Sequence, residues 1–300
     1  MTVRYDYLRV NGTRLLCAFA GEDCARTIIV VHGGRGSSEH GADFAAFRPL
    51  ADSFRIVAYD QRGCGRSELA EPITFDQLVD DLEALRKLVS GDRPVAVAGF
   101  SFGGMVALTH ILKYPQGVSH LVLIGTAASH HFKARALEGF DRRAALAPMA
   151  TRQMAEKRFG IGMVDDIEFR LIQFAMGSLD DTRWTPDVAL EAARTMPLNA
   201  EVHTRLYQGE RYDLRSRLRE IKVPSLIICG AEDWICPQEF SVVLAQGIPD
   251  SRLVIVPDCS HSVHQQRPDL VTDEIRRWTS RSGRCSQEDK ISIVHKRLSS

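Results

Sequence analysis

Apolar residues fall along the first third of the chain in two alternating periods. Alternating or Val-rich runs at Tyr5–Val10, Arg14–Phe19, Thr27–Val31, Arg55–Tyr59 and Val95–Ala98 predict β-strands. Asn11-Gly12 between the first two predicts a tight hairpin, because both residues tolerate positive φ. Thr27-Ile-Ile-Val-Val31 lacks a polar face, as a strand covered on both sides of a parallel sheet must. Between strands the period lengthens. Phe75, Leu78, Val79, Leu82, Leu85, Leu88 and Val89 recur at spacings of three and four and predict one helix, which Gly91 stops. A second helix is predicted over 102–113, closed by Tyr114-Pro115, and a further strand over His120–Ile124. This order predicts an α/β fold, a mostly parallel sheet with helices on both faces.

The pattern changes after residue 127. From 128 to 218 only helical or irregular periodicity remains, with five of the seven methionines and Phe132, Phe140, Phe159, Phe169, Phe174 and Trp184. Strand and helix then alternate again at Ser225–Cys229, Pro237–Gln246, Leu253–Val256 and Pro268–Trp278. Four segments are therefore expected: a core half at 1–127, a helical insertion at 128–218, the second core half at 219–280, and a polar tail at 281–300. The tail is expected to be frayed, with Ile291-Ser-Ile-Val294 able to add one short packed element.

Composition narrows the partners. The 300 residues carry 38 Lys+Arg and 38 Asp+Glu, and the insertion alone carries 14 against 13. No basic lobe is hidden in the average, so neither a nucleic-acid nor a membrane-surface partner is expected. Charges through the first thirty residues break any signal-peptide core, and no 18-residue apolar run exists. The seven cysteines are odd in number and form no C-x-x-C pair, which predicts reduced thiols and a cytoplasmic location. The histidines show no metal-ligand spacing.

The chemistry concentrates at strand ends. Gly99-Phe-Ser101-Phe-Gly103-Gly104 lies between a predicted strand and a predicted helix, the context of a nucleophile elbow that lifts a serine hydroxyl clear of the backbone. His32-Gly33-Gly34-Arg35-Gly36 follows the third strand, where a glycine-rich loop can turn an N–H toward a developing oxyanion. Gly34 and Phe102 are the candidate donors. A phosphate loop is disfavoured, because its Lys-Ser/Thr signature is missing. A serine needs a base held by an acid. Asp233 ends one late strand and His261 follows the last, with Glu232 and His264 as neighbouring alternatives. The order Ser101, Asp233, His261 is that of α/β-hydrolases.

Tyr59-Asp-Gln-Arg-Gly-Cys-Gly-Arg-Ser67 resembles the matching segment of proline iminopeptidases. His32–Gly36 resembles their HGGPG loop, and Asp258-Cys-Ser-His261 their histidine loop. The resemblance covers residues 1–127 and 219–280. It implies an α/β-hydrolase fold with an eight-stranded sheet, an inserted helical cap, and no metal or organic cofactor. It also implies cap carboxylates that hold a substrate ammonium, for which Glu168, Glu201, Glu210 and Asp213 are possible counterparts. Arg35 stands where these enzymes have Pro, and the elbow has Phe102 where they more often have Trp. Arg35, Trp184, Trp234 and Glu210 are the candidate substrate contacts. The expected activity is that of a serine hydrolase on a small peptide or amide with a free N-terminus. Small esters or lactones are the alternative substrates. A binding relative without turnover and non-hydrolytic use of the same triad are the remaining readings.

Overall fold

The computed structural model describes residues 2–180, 184–207, 212–281 and 290–293. Nine strands among them form one sheet: β1 (Arg4–Val10), β2 (Thr13–Ala20), β3 (Thr27–Val31), β4 (Arg55–Tyr59), β5 (Val95–Phe100), β6 (Val118–Ile124), β7 (Ser225–Gly230), β8 (Ser251–Val256) and β9 (Ile291–Ile293). Their order is β1-β2-β4-β3-β5-β6-β7-β8-β9. The hairpin turns on Asn11 and Gly12, both at positive φ, with Val10 opposite Thr13. β2 runs antiparallel to β4, and every pairing from β4 and β3 onward is parallel. The expected eight strands become nine because Ile291–Ile293 pairs with β8, so the tail contributes a short edge strand.

Both faces of the sheet are covered. Helices α1 (Gly41–Phe47) and α11 (Pro268–Thr279) cover one, through Phe44, Phe47, Val271, Ile275 and Trp278. Helices α2 (Phe75–Ser90), α3 (Phe102–Lys113) and α9 (Gln238–Gly247) cover the other. All five residues of β3 are consequently buried, and each aliphatic side chain there contributes about 1.5–3 kcal/mol. α2 starts on a Thr74 side chain that accepts the Gln77 N–H, and it buries Leu78, Val79, Leu82, Leu85 and Val89. Leu88 departs from the predicted stripe and is 59% exposed, because it lies at the stripe's margin on the solvent side. Between β6 and β7 the chain builds α4 (Phe132–Arg143), α5 (Arg152–Glu156), α6 (Asp166–Asp180), α7 (Pro186–Thr195) and α8 (Ala200–Tyr207). Among the described residues no helix is long and apolar enough to cross a membrane. A short α10 (Val263–Gln266) precedes α11.

Two buried ionic clusters fasten the helices that carry the loops. Arg62, fully buried, forks onto Asp81 of α2 with both contacts at 2.8 Å, and donates to the carbonyls of Asn11, Ala70 and Glu71. It joins the hairpin turn, the loop after β4 and α2 at one point. Truncation of one partner strands a buried charge. Asp81→Ala should therefore lose about 3–5 kcal/mol in urea unfolding.

Glu83 of α2 accepts from Arg86 at 2.8 and 2.9 Å and from His110 of α3 at 2.9 Å. Burial alone would raise its pKa, but the hydrogen bonds from His110 and Arg86 outweigh it and hold the carboxyl at about 2. A depressed carboxylate stabilises the fold above its unfolded value and loses that contribution as pH falls through the folded one. The stability difference between wild type and Glu83→Gln should thus be full at pH 5 and shrink steadily toward pH 2. Denaturant midpoints across that range measure it.

Candidate active site

The site is built at the C-terminal ends of β3, β5, β7 and β8, where open parallel sheets place their crevices. Ser101 sits between β5 and α3 at φ 51°, ψ −117°, a left-handed conformation costly for a residue with a Cβ. Its N–H donates to the Ile124 carbonyl at 2.9 Å, and its own carbonyl accepts from Thr126 Oγ1 at 2.7 Å. The flanking glycines are required by contact. A Cβ on Gly103 would lie 2.2 Å from the Val31 carbonyl oxygen, and one on Gly99 would lie 2.4 Å from that of Gly103. The turn therefore packs directly against the end of β3, which brings the hydroxyl beside the loop that follows it.

His261 and Asp233 converge on that hydroxyl. His261 Nε2 is 2.9 Å from Ser101 Oγ, and Nδ1 is 2.8 Å from Asp233 Oδ2. An ionised carboxylate can only accept, so Nδ1 carries the proton and the Nε2 lone pair faces the serine. Asp233 Oδ1 is held in turn by the N–H groups of Ile235 and Cys236, each at 2.9 Å, and its side chain is fully buried. The neighbouring alternatives point elsewhere. Glu232 is 67% exposed. His264 is buried against Asp43 at 2.7 Å, on the far side of Phe100, whose ring packs on both His261 and His264.

The loop after β3 lies against the elbow. His32 Nδ1 donates to the Gly33 carbonyl at 2.6 Å, while His32 Nε2 accepts the Gln61 N–H at 3.0 Å. In a trans peptide the N–H and C=O point oppositely. With the Gly33 carbonyl turned onto His32, the Gly34 N–H faces the other way, and Gly34 and Phe102 both line the cavity that Ser101 enters. Asp60 anchors this loop and the one after β4. It accepts from His40 N–H at 2.9 Å, His40 Nδ1 at 2.6 Å and Arg66 N–H at 2.8 Å. Burial would raise its carboxyl, but hydrogen bonding and charge from His40 prevail and lower it. Glu39, His40 and Asp60 form the one group with metal-ligand proximity among the described residues. The Asp60 oxygens are already engaged by these donors, which suits a structural anchor rather than an ion site. Cys64, beside it, is buried, and burial pushes its thiol up to about 12. That is a packing thiol, not a nucleophile.

The cavity above Ser101 holds about 190 Å³. Its walls are aromatic, from Phe100, Phe102, Phe132, Phe159, Phe169 and Tyr207, with Met105 and Ile235. Arg35 lines it. Its guanidinium is stacked between Phe102 at 4.5 Å and Tyr207 at 4.0 Å, so it serves as wall. Trp234 is 1% exposed and packs edge-on to Phe159 behind that wall, and Trp184 packs against Phe174 and Gly177. Neither lines the cavity, because each indole fills a gap between helices. Glu210 lies outside the described residues. Glu168 is paired with Lys157, while Glu201 and Asp213 are exposed and paired with Arg205 and Arg215, so none of the three reaches the cavity. The polar groups found there instead are Arg158, Asp180, Gln173 and His203. Arg158 Nη2 binds Asp180 Oδ2 at 2.8 Å. No motif in the sequence marks these four, which come together only through the packing of α6, α8 and the helical turn Lys157–Ile161 that follows α5.

A model for the family described as alpha/beta hydrolase fold matches residues 26–268. Proline iminopeptidase PfmaB of Pestalotiopsis fici is 37% identical over 274 residues, covering 90% of this chain and 98% of the relative. A proline iminopeptidase of Thermoplasma volcanium is 29% identical, covering 85% and 89%. Among solved structures, a thermophilic esterase from Thermogutta terrifontis superposes with TM-score 0.67 at 26% identity, over 92% of this chain and 98% of that one. With a match across most of its length and relatives aligned nearly end to end, the chain belongs to the alpha/beta hydrolase fold family and is a hydrolase similar to proline iminopeptidases.

Proposed function

We propose that the protein is a serine hydrolase that works through an acyl-enzyme formed on Ser101. The observation that carries this reading is the unbroken chain Ser101 Oγ, His261, Asp233 at 2.9 and 2.8 Å, opening on an aromatic-walled cavity. His261 takes the hydroxyl proton as Ser101 Oγ attacks the substrate carbonyl carbon, and Asp233 stabilises the imidazolium. The oxygen of the tetrahedral intermediate is held by the Gly34 and Phe102 N–H groups, the latter at the positive end of α3. The imidazolium returns its proton to the leaving group as the C–N or C–O bond breaks. Water, deprotonated by His261, then attacks the acyl carbon and regenerates Ser101. In this reading residues 128–218 form a cap over a core of 1–127 and 219–280. A cytoplasmic location is part of it, supported by the unpaired state of the six described cysteines.

For substrate we propose a small peptide or amide with a free N-terminus, supported by the 37% identical proline iminopeptidase. Asp180 is the one carboxylate among the described residues of the cavity wall, and is assigned as the ammonium anchor. A second reading, small acyl esters, is favoured by the Arg158–Asp180 pair. An arginine already bound to the carboxylate offsets the charge that would draw a cation.

Replacing the nucleophile should be decisive: Ser101→Ala is expected to lower kcat by roughly 10⁴–10⁶, and full turnover by that variant would remove the assignment. The substrate is settled by comparing aminoacyl-arylamides, prolyl among them, with short acyl esters and lactones. Prolyl-arylamide turnover is expected; its absence beside ester turnover moves the function to the second reading. Asp180→Asn should raise KM for aminoacyl-arylamides about tenfold, one charge-assisted hydrogen bond, while leaving acyl-ester kinetics within about twofold. An equal change on both substrates would cancel the anchor.

A further inference from the structure

The helix α8 is fastened to the oxyanion loop more tightly than a cover over a cavity requires. The Asn199 N–H, at its start, donates to the Gly36 carbonyl at 2.7 Å, and Asn199 Nδ2 donates to the Gly63 carbonyl at 3.0 Å. Asn199 Oδ1 also accepts the Val202 N–H at 3.0 Å, capping the helix. One turn on, His203 Nδ1 lies 2.9 Å from the Arg35 carbonyl and Nε2 lies 3.4 Å from that of Lys157. A carbonyl can only accept, so the single proton of the neutral ring belongs on Nδ1, at the shorter contact. Burial, outweighing both carbonyls, lowers the His203 pKa to about 4, and the ring is neutral around pH 7. Packing is tight as well. A Cβ on Gly36 would lie 2.2 Å from the Asn199 carbonyl oxygen.

These contacts complete a pattern in the loop. The Gly33 carbonyl is held by His32, that of Arg35 by His203, and that of Gly36 by the Asn199 N–H. The Gly36 N–H, on the same peptide as the Arg35 carbonyl, is turned onto Cys64. Rotation of a peptide that brought a carbonyl toward the serine would break one of these bonds. Two of the three carbonyl contacts come from α8, beyond the core that carries Ser101, His261 and Asp233. A buried carbonyl left without its donor is costly enough to favour a rotated peptide that finds another partner.

We propose that His203 and Asn199 are positioning residues for the oxyanion hole: His32 sets the direction of the Gly33–Gly34 peptide, and α8 seated on residues 35–36 holds the rest of the loop so that the Gly34 N–H stays beside Ser101. This rests on the reading of Gly34 and Phe102 as the oxyanion donors. Neither residue touches the reacting atoms; both act through the loop backbone.

The test uses the full chain and the substrate that the wild type turns over best. His203→Leu keeps the bulk and removes the donor, and His203→Gln restores a donor. His203→Leu is expected to lower kcat about 10–100-fold with KM within about twofold, the size of a misaimed rather than a deleted oxyanion donor. Inhibition by a trifluoromethyl ketone, whose hemiketal oxygen must occupy the hole, should weaken by the same factor as kcat/KM. His203→Gln should recover most of both. The proposal is overturned if His203→Leu keeps kcat within about threefold, or loses kcat with ketone affinity unchanged. Should His203→Leu fail to unfold cooperatively, Asn199→Ala takes its place. There a 3–10-fold loss in kcat with weakened ketone binding supports the proposal, and wild-type ketone binding overturns it. Ser101→Ala runs alongside: turnover retained by that variant sinks the nucleophile reading. An inactive Ser101→Ala beside an unimpaired His203→Leu sinks only this inference.

Discussion

Everything at this site depends on a serine being held in a backbone conformation it would not choose. A non-glycine residue at φ 51° costs of order 1–3 kcal/mol and persists only where its surroundings leave no alternative. Here the constraint comes from both neighbouring strands. β6 takes the Ser101 N–H through Ile124 and sends Thr126 back to the Ser101 carbonyl. On the other side, Gly103 is pressed onto the carbonyl of Val31 so closely that a methyl group has no space. The sheet order places β5 between β3 and β6, so one turn meets both the loop after β3 and the β6 edge. The hydroxyl, the start of α3 and the Gly33–Gly34 peptide are brought together by sheet packing rather than by contacts among themselves.

The polar groups around the serine are ordered by the same logic of leaving no lone pair or proton free to reorient. Asp233 is fixed by two backbone N–H groups before it meets His261, which decides which ring nitrogen holds the proton. His32 is fixed by the Gln61 N–H before it meets Gly33, which decides the direction of a peptide. Asp60, with donors from His40 and Arg66, holds the loop that supplies Gln61. Preorganised dipoles need no reorganisation when charge develops, and this arrangement extends the preorganisation two residues deep. Histidine takes three places here that sequence position alone does not separate: His261 faces the serine hydroxyl, His32 and His203 clasp carbonyls, and His40 and His264 partner buried carboxylates.

The legible parts of the chain were those where local pattern and tertiary role coincide. β3, α3 and the elbow could be read because burial on both faces, a glycine-bounded turn and a Tyr-Pro stop each leave a local trace. Asp233 and His261 are legible through their position after strands, and the geometry brings them to Ser101 while Glu232 and His264 face elsewhere. Leu88 was misplaced because a stripe's edge differs from its centre only by the tilt of the helix on the sheet. The ninth strand is three residues long with two of them exposed; Ile291-Ser-Ile marks a short element, but alternation that brief gives neither its register nor its place at the sheet edge. The cavity's cap-side wall was the least legible. Trp184 and Trp234 carry the composition of a binding surface, yet both fill gaps between helices, while Arg158 and Asp180 meet from helices 22 residues apart without any spacing rule.

That contrast bears on how substrate choice and catalysis divide between the two parts of the molecule. Ser101, Asp233, His261 and the Gly33–Gly34 peptide come from loops of the parallel sheet, whose positions follow from strand register. Arg158 and Asp180 on the cavity's other wall come from the turn after α5 and the end of α6, whose positions follow from side-chain packing. Packing is the more easily altered of the two, because one changed volume shifts a helix while a strand is held by its ladder. Two ties resist that drift: Arg158 to Asp180, and Ser260 beside the base to the Asp180 carbonyl at 3.1 Å. The second links the recognition wall to the histidine loop by a single residue step.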